Sequence, residues 1–248
     1  MALPFGLSPG AAAFLAFAVF AAAFVRGYSG FGFAALVVSA TSLVTSPLHA
    51  VPVVIICDIL MTVQQVPGIW GRIDWRRVAY LTLGTLPGVP LGVAVLSGIG
   101  TDMARAVIAG FVLLMCAGLW AGWSLPGRVG GAGHAGTGFL SGFANGAGVG
   151  GLPVAVFVAA QPGAAAVVRA TLVAYFTLMD LWSLPVMARA GMIEADTGRA
   201  VLFAAPIMVL GLWLGSRHFL NAEPASFRRF AILPLAGLSV LGLAKSVM

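Results

Sequence analysis

Residues 11–38 read AAAFLAFAVFAAAFVRGYSGFGFAALVV, an apolar stretch in which Arg26 is the one charged residue. The stretch exceeds the roughly 20 residues that a helix needs to cross the hydrocarbon layer of a membrane. Over the 248 residues of the chain, 60% are hydrophobic, 8% are charged and the mean hydropathy is +1.05. A soluble core could not bury so much apolar surface, and the apolar runs lack the alternation of barrel strands. The sequence therefore predicts an all-α integral membrane protein.

Charged residues and Gly/Pro clusters divide the chain into eight predicted membrane spans. These spans cover about 10–44, 47–69, 77–97, 104–123, 134–160, 163–188, 198–216 and 227–246. The first and fifth are too long for one straight crossing, and glycine-rich segments interrupt them: GYSGFGF at 27–33 and GFANGAGVGG at 142–151. Each is either a tilted, broken helix or a helix followed by a re-entrant piece, which needs a cavity or surrounding protein.

The two halves of the chain resemble each other, which predicts an internal duplication of the kind that transporters contain. Ser29-Gly30-Phe31-Gly32 matches Asn145-Gly146-Ala147-Gly148, and Gly71-Arg72-Ile73-Asp74 matches Gly191-Met192-Ile193-Glu194. We expect a first four-helix repeat in residues 1–124, a linker in 125–136 and a second four-helix repeat in 137–248. Four crossings per half would make the repeats parallel, unless the glycine segments hide an extra re-entry.

The basic residues favour a topology with both chain termini in the cytoplasm, because cytoplasmic loops carry an excess of Lys and Arg. In that topology seven basic residues lie inside and four lie outside. The inside set is Arg72, Arg76, Arg77, Arg128, Arg189, Arg199 and Lys245, and the outside set is Arg105, Arg217, Arg228 and Arg229. Basic loops of this kind also account for the net charge of +6, so we do not expect a nucleic-acid partner.

Four ionisable residues fall inside predicted spans, and each costs about 2.5 to 3.5 kcal/mol to insert there, so all are functional candidates. They are Arg26, Asp58, Arg169 and Asp180. Two alternatives remain open: the arginines and aspartates pair within the bundle, or the arginines reach to an interface. Asp180 aligns in the repeat with Gln64, and this pair, together with Gln65, predicts a polar cavity.

The glycine segments predict an anion site, because the free N–H groups of a restarting helix attract negative charge. The candidate substrate-binding residues are Arg26, Tyr28, Ser29, Gly30, Gly32, Asn145, Gly146, Gly148, Arg169, Thr171 and Tyr175. We assign Gly88-x-x-x-Gly92 and Gly211-x-x-x-Gly215 to close helix packing instead. His49, His134 and His218 are scattered at span ends and nucleotide-binding motifs are missing, so we expect neither a metal nor a cofactor.

Four segments, taken in order, resemble the sulfite exporter (TauE/SafE) family of membrane proteins. They are GYSGFGF at 27–33, RIDWRRVAYLTLGTLPGVPLG at 72–92, NGAGVGGLP at 145–153 and VLGLWLGSR at 209–217. The resemblance implies a secondary transporter, usually an exporter, for sulfite, sulfonates and related small organic anions. The chain departs from the family pattern at Ala50–Val54, where a stretch of small residues, Thr and Ser is expected, and at Arg169–Leu172, which keeps only the Thr of that pattern.

The leading hypothesis is therefore a secondary transporter of a small anion, working by alternating access in a bacterial-type inner membrane. Asp58 or Asp180 would couple transport to protons, since a carboxylic acid in a low-dielectric cavity can titrate near neutral pH. The expected partners are the anion, membrane lipid and protons, with the oligomeric state left open. The alternatives are a passive anion channel and an intramembrane enzyme, and the loops lack the dense cluster of His, Asp or Glu that such an enzyme needs.

Overall fold

The computed structural model of the chain describes residues 3–121, 129–161 and 163–219, together with 236–237 and 240. Helices account for all regular structure in these residues, as predicted. Their bounds are α1 (Pro9–Ser29), α2 (Phe33–Ser42), α3 (Pro47–Ile69), α4 (Trp75–Ser97), α5 (Thr101–Trp120), α6 (Gly131–Asn145), α7 (Gly151–Ala159), α8 (Ala165–Arg189) and α9 (Ala195–Phe219). Short 3-10 turns cover Pro4–Gly6 and Trp70–Arg72.

Six of the described helices are long and apolar enough to cross a membrane: α1, α3, α4, α5, α8 and α9. The predicted fifth span is instead two short helices, α6 and α7, of 15 and 9 residues. The predicted eighth span, 227–246, lies outside the described residues, except for isolated positions. The count of eight membrane helices is therefore not confirmed.

Both glycine segments interrupt their helices where the sequence predicts. Gly30 and Gly32, with φ of +82° and +93°, separate α1 from α2, and Gly148, with φ of +69°, lies between α6 and α7. Such left-handed backbone is unfavourable for residues with a Cβ atom and accessible to glycine. The N–H of Gly30 closes α1 by donating to the Arg26 carbonyl at 2.7 Å.

The first interrupted pair, α1 and α2, forms a hairpin that begins and ends at the same face of the bundle. The early part of α1, from Ala12 to Val19, lines one groove with Thr41 in the last turn of α2, Thr45 just beyond that helix and His49 at the start of α3. The Phe5 ring stacks on His49 with the ring centroids 4.7 Å apart. We call this side of the bundle the His49 face.

The second hairpin, α6 and α7, begins and ends at the opposite face. Gly131 at the start of α6 and Gln161 just beyond α7 line one cavity with Asp74, which precedes α4. Because His49 lies in the first turn of α3 and Asp74 lies shortly beyond its end, the two faces are at opposite ends of that helix. We call this second side the Asp74 face. The two hairpins therefore enter the bundle from opposite sides.

This hairpin geometry corrects the expectation of parallel halves. A re-entrant hairpin does not change sides, so the three crossings α3, α4 and α5 leave the second half starting at the face opposite to the first. The count of basic residues changes for the same reason. Arg72, Arg76 and Arg77 lie at the Asp74 face, whereas Arg189 and Arg199 lie toward the His49 face with Glu194, which is 3.7 Å from His49. The count of seven against four therefore no longer supports an orientation.

Close backbone contact holds each hairpin in the bundle: α1 packs along α9, and α6 packs along α4. A Cβ atom added at Gly88 or Gly92 would collide with the backbone of α6, and one at Gly211 or Gly215 would collide with the backbone of α1. The predicted packing role of these four glycines is confirmed. Between the two pairs, α3 packs against α8.

We expect Gly84→Val to destabilise the fold, because its Cβ would overlap the backbone of Ala135 on α6. Overpacking of this kind costs about 1 to 3 kcal/mol or more. Gly110→Val, on α5, is the matched control, since open space surrounds the added carbon there. Thermal unfolding in detergent checks this; equal melting temperatures for the two variants would contradict the packing account.

We expect cysteines introduced by Gly71→Cys and Ala195→Cys to be labelled from opposite sides of the membrane. Both positions are exposed and flank crossing helices, one at the Asp74 face and one at the His49 face. The measurement is reaction with an impermeant maleimide in oriented vesicles, with the buried Cys57 and Cys116 as background. Eight simple crossings would put both positions on one side, so labelling from the same side would refute the hairpins.

Candidate functional site

A small cavity of about 20 Å³ lies where the two hairpins meet α3 and α8. Its walls come from the end of α1, the start of α2, the middle of α3 and α8, the end of α6 and the start of α7. The lining residues are Arg26, Gly32, Ala34, Ala35, Asp58, Asn145, Gly151, Leu152, Phe176, Met179 and Asp180. The cavity thus joins both glycine segments with three of the four charged residues that the sequence places inside spans.

Arg26 is the cation of this cavity, and its side chain is 1% exposed. Its Nη1 atom lies 3.6 Å from Oδ2 of Asp58 and donates a hydrogen bond of 3.1 Å to the carbonyl of Gly30. The guanidinium carbon lies 5.3 Å from the ring centroid of Phe176, a cation–π distance. The pairing of Arg26 with Asp58 matches the sequence-based alternative of an ion pair inside the bundle.

Asp180 lines the same cavity and is held by the end of α6. Its Oδ1 atom accepts a hydrogen bond of 3.2 Å from Nδ2 of Asn145, which also donates to Oγ of Ser183 at 2.9 Å. Asp180, Asn145 and Ser183 are all buried. The second glycine segment is therefore held to α8 through the side chain of Asn145.

Several polar atoms around the cavity have no hydrogen-bond partner within the described residues: Nε and Nη2 of Arg26, Oδ1 of Asp58 and Oδ2 of Asp180. A buried polar group without a partner costs about 1 to 3 kcal/mol, and more when it is charged. Such groups call for an explanation, which is commonly water, an ion or a functional role. Here they line a common cavity, as groups that bind a small polar ligand would.

The first residues of two helices also line the cavity. Ala34 and Ala35 belong to the first turn of α2, and Gly151 and Leu152 belong to the first turn of α7. Neither helix has a side chain capping its first turn. The positive ends of two helix dipoles and the Arg26 guanidinium therefore favour an anion in this space.

Other candidate residues do not line this cavity and instead form hydrogen bonds that stabilise the surrounding helices. The Ser29 hydroxyl lies 2.7 Å from the Val25 carbonyl and 2.8 Å from the Phe31 carbonyl, so it holds the first break together. Arg169 donates a hydrogen bond of 2.6 Å to the Gly27 carbonyl, so it holds the end of α1 to α8. Tyr175 shares a hydrogen bond of 2.7 Å with Thr85 on α4.

The remaining candidates are spread around the site. Thr171 accepts a hydrogen bond from the Asp74 backbone N–H at 3.0 Å, near the Asp74 face. Tyr28, Gly30, Gly146 and Gly148 lie in or beside the two breaks, off the cavity wall. Gln64 is exposed, whereas Gln65 is buried on α3. The predicted polar pair of Gln64 and Asp180 therefore does not share this cavity.

Sequence reasoning missed Phe176, Met179 and Ser183 of α8. The first two line the cavity, and Ser183 holds Asn145. A signal was available, because Phe176 lies four residues before Asp180 and Ser183 lies three residues after it, which puts them on one helix face.

We expect Arg26→Met to lower the free energy of unfolding by about 3 to 5 kcal/mol, because it leaves Asp58 buried without its cation. Adding Asp58→Asn should restore a large part of that loss. Arg169→Met is the control, because Arg169 hydrogen-bonds to the Gly27 carbonyl and not to Asp58. Adding Asp58→Asn should not restore the stability that Arg169→Met removes. Thermal unfolding of the single and double variants measures this; additive losses for Arg26→Met with Asp58→Asn would contradict the ion pair.

Comparison with known proteins identifies the family of the chain. The chain matches the family model described as Sulfite exporter TauE/SafE over residues 15–241. It is also 30% identical over 227 residues to a Cupriavidus necator protein described as "Probable sulfite/organosulfonate exporter TauE", with 88% of each chain covered. No solved structure matches. The family match covers most of the chain, from Leu15 in α1 onward, so the chain belongs to the sulfite exporter TauE/SafE family of membrane transporters.

Proposed function

We propose that this protein is a secondary transporter that exports sulfite or a small sulfonate across a bacterial inner membrane, by alternating access and with proton coupling. The observation that carries the proposal is the buried Arg26, which shares a cavity with Asp58, Asp180 and the first turns of α2 and α7. The name of the Cupriavidus necator relative supports the substrate class.

The chemistry of the cavity suits a small oxyanion. Guanidinium groups bind oxyanions through parallel N–H donors, and Nε and Nη2 of Arg26 are two such donors without a partner among the described residues. The first turns of α2 and α7 supply backbone N–H groups on the same cavity. Phe176 and Met179 provide the apolar part of the wall, against which a small organic group of a sulfonate can pack.

Charge balance supports proton coupling. With both acids ionised, Arg26, Asp58 and Asp180 carry one net negative charge, and an anion added to them would be repelled at short range. A proton on Asp58 removes its attraction for Arg26 and frees the guanidinium for the substrate. Asp58 is therefore the coupling acid that we propose, and Asp180, held by Asn145, stays with the second hairpin.

The size of the cavity supports alternating access. At about 20 Å³ it is close to the minimum space for one water molecule, so the hairpins must separate before a sulfite ion enters. The duplicated sequence supports two repeats in 1–124 and 137–248, joined by the linker 125–136. In inverted repeats the site lies between the halves, and exchange of their conformations opens it to one side and then to the other.

Sulfite efflux from proteoliposomes tests the proposal. We expect saturable efflux from vesicles that contain the protein and none above background from vesicles that contain Arg26→Gln. Arg189→Gln is the matched control, because Arg189 is exposed and distant from the cavity. Equal efflux from wild type and Arg26→Gln would contradict the site, and efflux that rises linearly without saturation would favour a passive channel.

We expect Asp58→Asn to uncouple transport from the pH gradient. A permanently neutral side chain leaves Arg26 free for the anion but carries no proton, so efflux should continue and stop responding to an imposed gradient. Asp180→Asn should retain the response, because Asp180 has no ion pair with Arg26 in this structure. Proton uptake measured with a trapped pH dye decides this; an undiminished gradient response in Asp58→Asn would remove Asp58 from coupling.

A further inference from the structure

Four side chains of α3 form a stripe that leads from the small cavity between the hairpins, which we call the central cavity, toward the Asp74 face. They are Asp58, Thr62, Gln65 and Ile69, and all four are buried. At 3.6 residues per turn they lie within about 60° of one another around the helix axis. Asp58 lines the central cavity, and Ile69 is the last residue of α3. The stripe therefore connects the proposed coupling acid with the Asp74 end of the helix.

The stripe packs against α8, which runs antiparallel to α3. The Thr62 hydroxyl lies 2.8 Å from the hydroxyl of Thr177. Nearer the Asp74 face, Ile69 forms one apolar cluster with two buried residues of α8, Ala170 and Val173. Gln65 lies between these two contacts on the same face of α3, so it belongs to the same interface. Because helical side chains tilt toward the N-terminus of their helix, the long side chain of Gln65 extends back toward Thr62.

Gln65 is a buried amide without hydrogen-bond partners. The residue is 6% exposed, and neither Oε1 nor Nε2 has a partner in the described part of the chain. An amide offers both an acceptor and a donor, so a bare anion or a cation would satisfy only one of the two atoms. Water satisfies both, and buried water typically bonds to polar groups that lack other partners. The amide therefore indicates a bound water molecule between α3 and α8.

The two threonine hydroxyls beside Gln65 can exchange their hydrogen bonds. Thr62 can donate to the Asp58 carbonyl at 3.1 Å or to Thr177. Thr177 can donate to the Val173 carbonyl at 2.8 Å or to Thr62. Two hydroxyl protons thus serve three contacts, so one contact always lacks a proton. A hydroxyl that turns between two acceptors can take up one proton on its oxygen and release its own.

We propose that Gln65 holds water between α3 and α8, and that this water and the Thr62 hydroxyl carry the proton of Asp58 between the central cavity and the Asp74 face. The relay rests on the proposed function, in which Asp58 gains and loses a proton in each cycle. Each relay oxygen accepts one proton and releases another, so the Gln65 amide itself stays unchanged. The charged groups that line the central cavity with Asp58 are Arg26 of α1 and Asp180 of α8, and neither belongs to the stripe.

The apolar cluster at Ile69 closes the outer end of the relay in this structure. Ile69 lies about 6 Å beyond Gln65 along the helix axis. Water on Gln65 is therefore separated from the Asp74 face until α3 and α8 part at this cluster. Such a closure suits alternating access, because a relay open to both sides at once would let protons leak past the substrate.

A crystal structure that resolves ordered water tests the site without requiring transport. We expect a water molecule within hydrogen-bond distance of both amide atoms of Gln65, and its loss in Gln65→Leu. A Gln65 amide that bonds only to protein atoms, with no water beside it, would overturn the proposal.

Two modes of sulfite movement test the relay. Net efflux into sulfite-free buffer requires Asp58 to change its protonation, whereas exchange of labelled for unlabelled sulfite requires no net proton transfer. We expect Gln65→Leu to slow net efflux roughly tenfold, the effect of one lost hydrogen bond on a barrier, and to leave exchange unchanged. Gln64→Leu is the matched control, because the neighbouring Gln64 is exposed, and both modes should be normal in it.

Two further comparisons identify the relay groups. Thr62→Val removes the hydroxyl and should slow net efflux alone, whereas Thr62→Ser keeps it and should behave as wild type. Adding Asp58→Asn to Gln65→Leu should restore net efflux, because a permanently neutral side chain needs no proton. Equal loss of net efflux and exchange in Gln65→Leu would mean a structural role and would overturn the relay, as would unchanged net efflux.

A buried hydroxyl on the other side of the central cavity provides the competing route. Ser39 of α2 is 2% exposed, and its Oγ has no partner within the described residues. Slower net efflux in Ser39→Ala, with normal net efflux in Gln65→Leu, would place the route on α2 and overturn the proposal. If wild type moves no sulfite in either mode while water is bound at Gln65, the proposed function is wrong and the water site stands. Normal wild-type efflux without water at Gln65 would remove the relay alone.

Discussion

The arginine at the end of α1 needs a counter-charge inside the membrane, and the rest of the structure follows from that requirement. An unpaired charge in hydrocarbon costs several kcal/mol, so Arg26 is held against Asp58 by a hairpin that turns back within the bundle. The pair is incomplete, because Nε and Nη2 of Arg26 find no partner among the described residues. A structural ion pair would use these donors, and in the function proposed above they bind the substrate.

Glycine makes this arrangement possible at two levels. Positive φ at Gly30, Gly32 and Gly148 lets each hairpin break, which exposes the first turns of α2 and α7 to the central cavity. Small residues along α4 and α9 let the hairpins approach these helices at backbone contact. The two hairpins enter from opposite faces, so a site at their meeting point is equally placed for access from either side.

The sequence was sufficient for the helical class, the breaks and the family, and insufficient for the path of the chain. Composition decides membrane insertion, and dense glycine marks where α1 and α6 end. A break that reverses direction and one that continues across the membrane have the same hydropathy, so α2 was read as a continuation of its span. Because α2 was counted as part of a crossing, every later loop was assigned to the wrong side of the membrane relative to the start of the chain. This assignment placed Arg189 on the same side as Arg72.

Partner choice was equally hidden from the sequence, because it depends on contacts between distant residues. Arg26 of α1 pairs with Asp58 of α3, whereas Arg169 donates a hydrogen bond to the Gly27 carbonyl. Ser29 has the chemistry of a ligand, yet its hydroxyl is occupied by the backbone of its own break. Only coordinates separate a hydroxyl that binds substrate from one that closes a turn.

A structure determined with selenite, a heavier analogue of sulfite, tests the central claim most directly. The account predicts a selenium peak between the first turns of α2 and α7. The selenite oxygens should accept hydrogen bonds from Nε and Nη2 of Arg26, and Asp58 should have moved away from the guanidinium. An unchanged Arg26–Asp58 pair, with no selenium between the hairpins at saturating selenite, would contradict it.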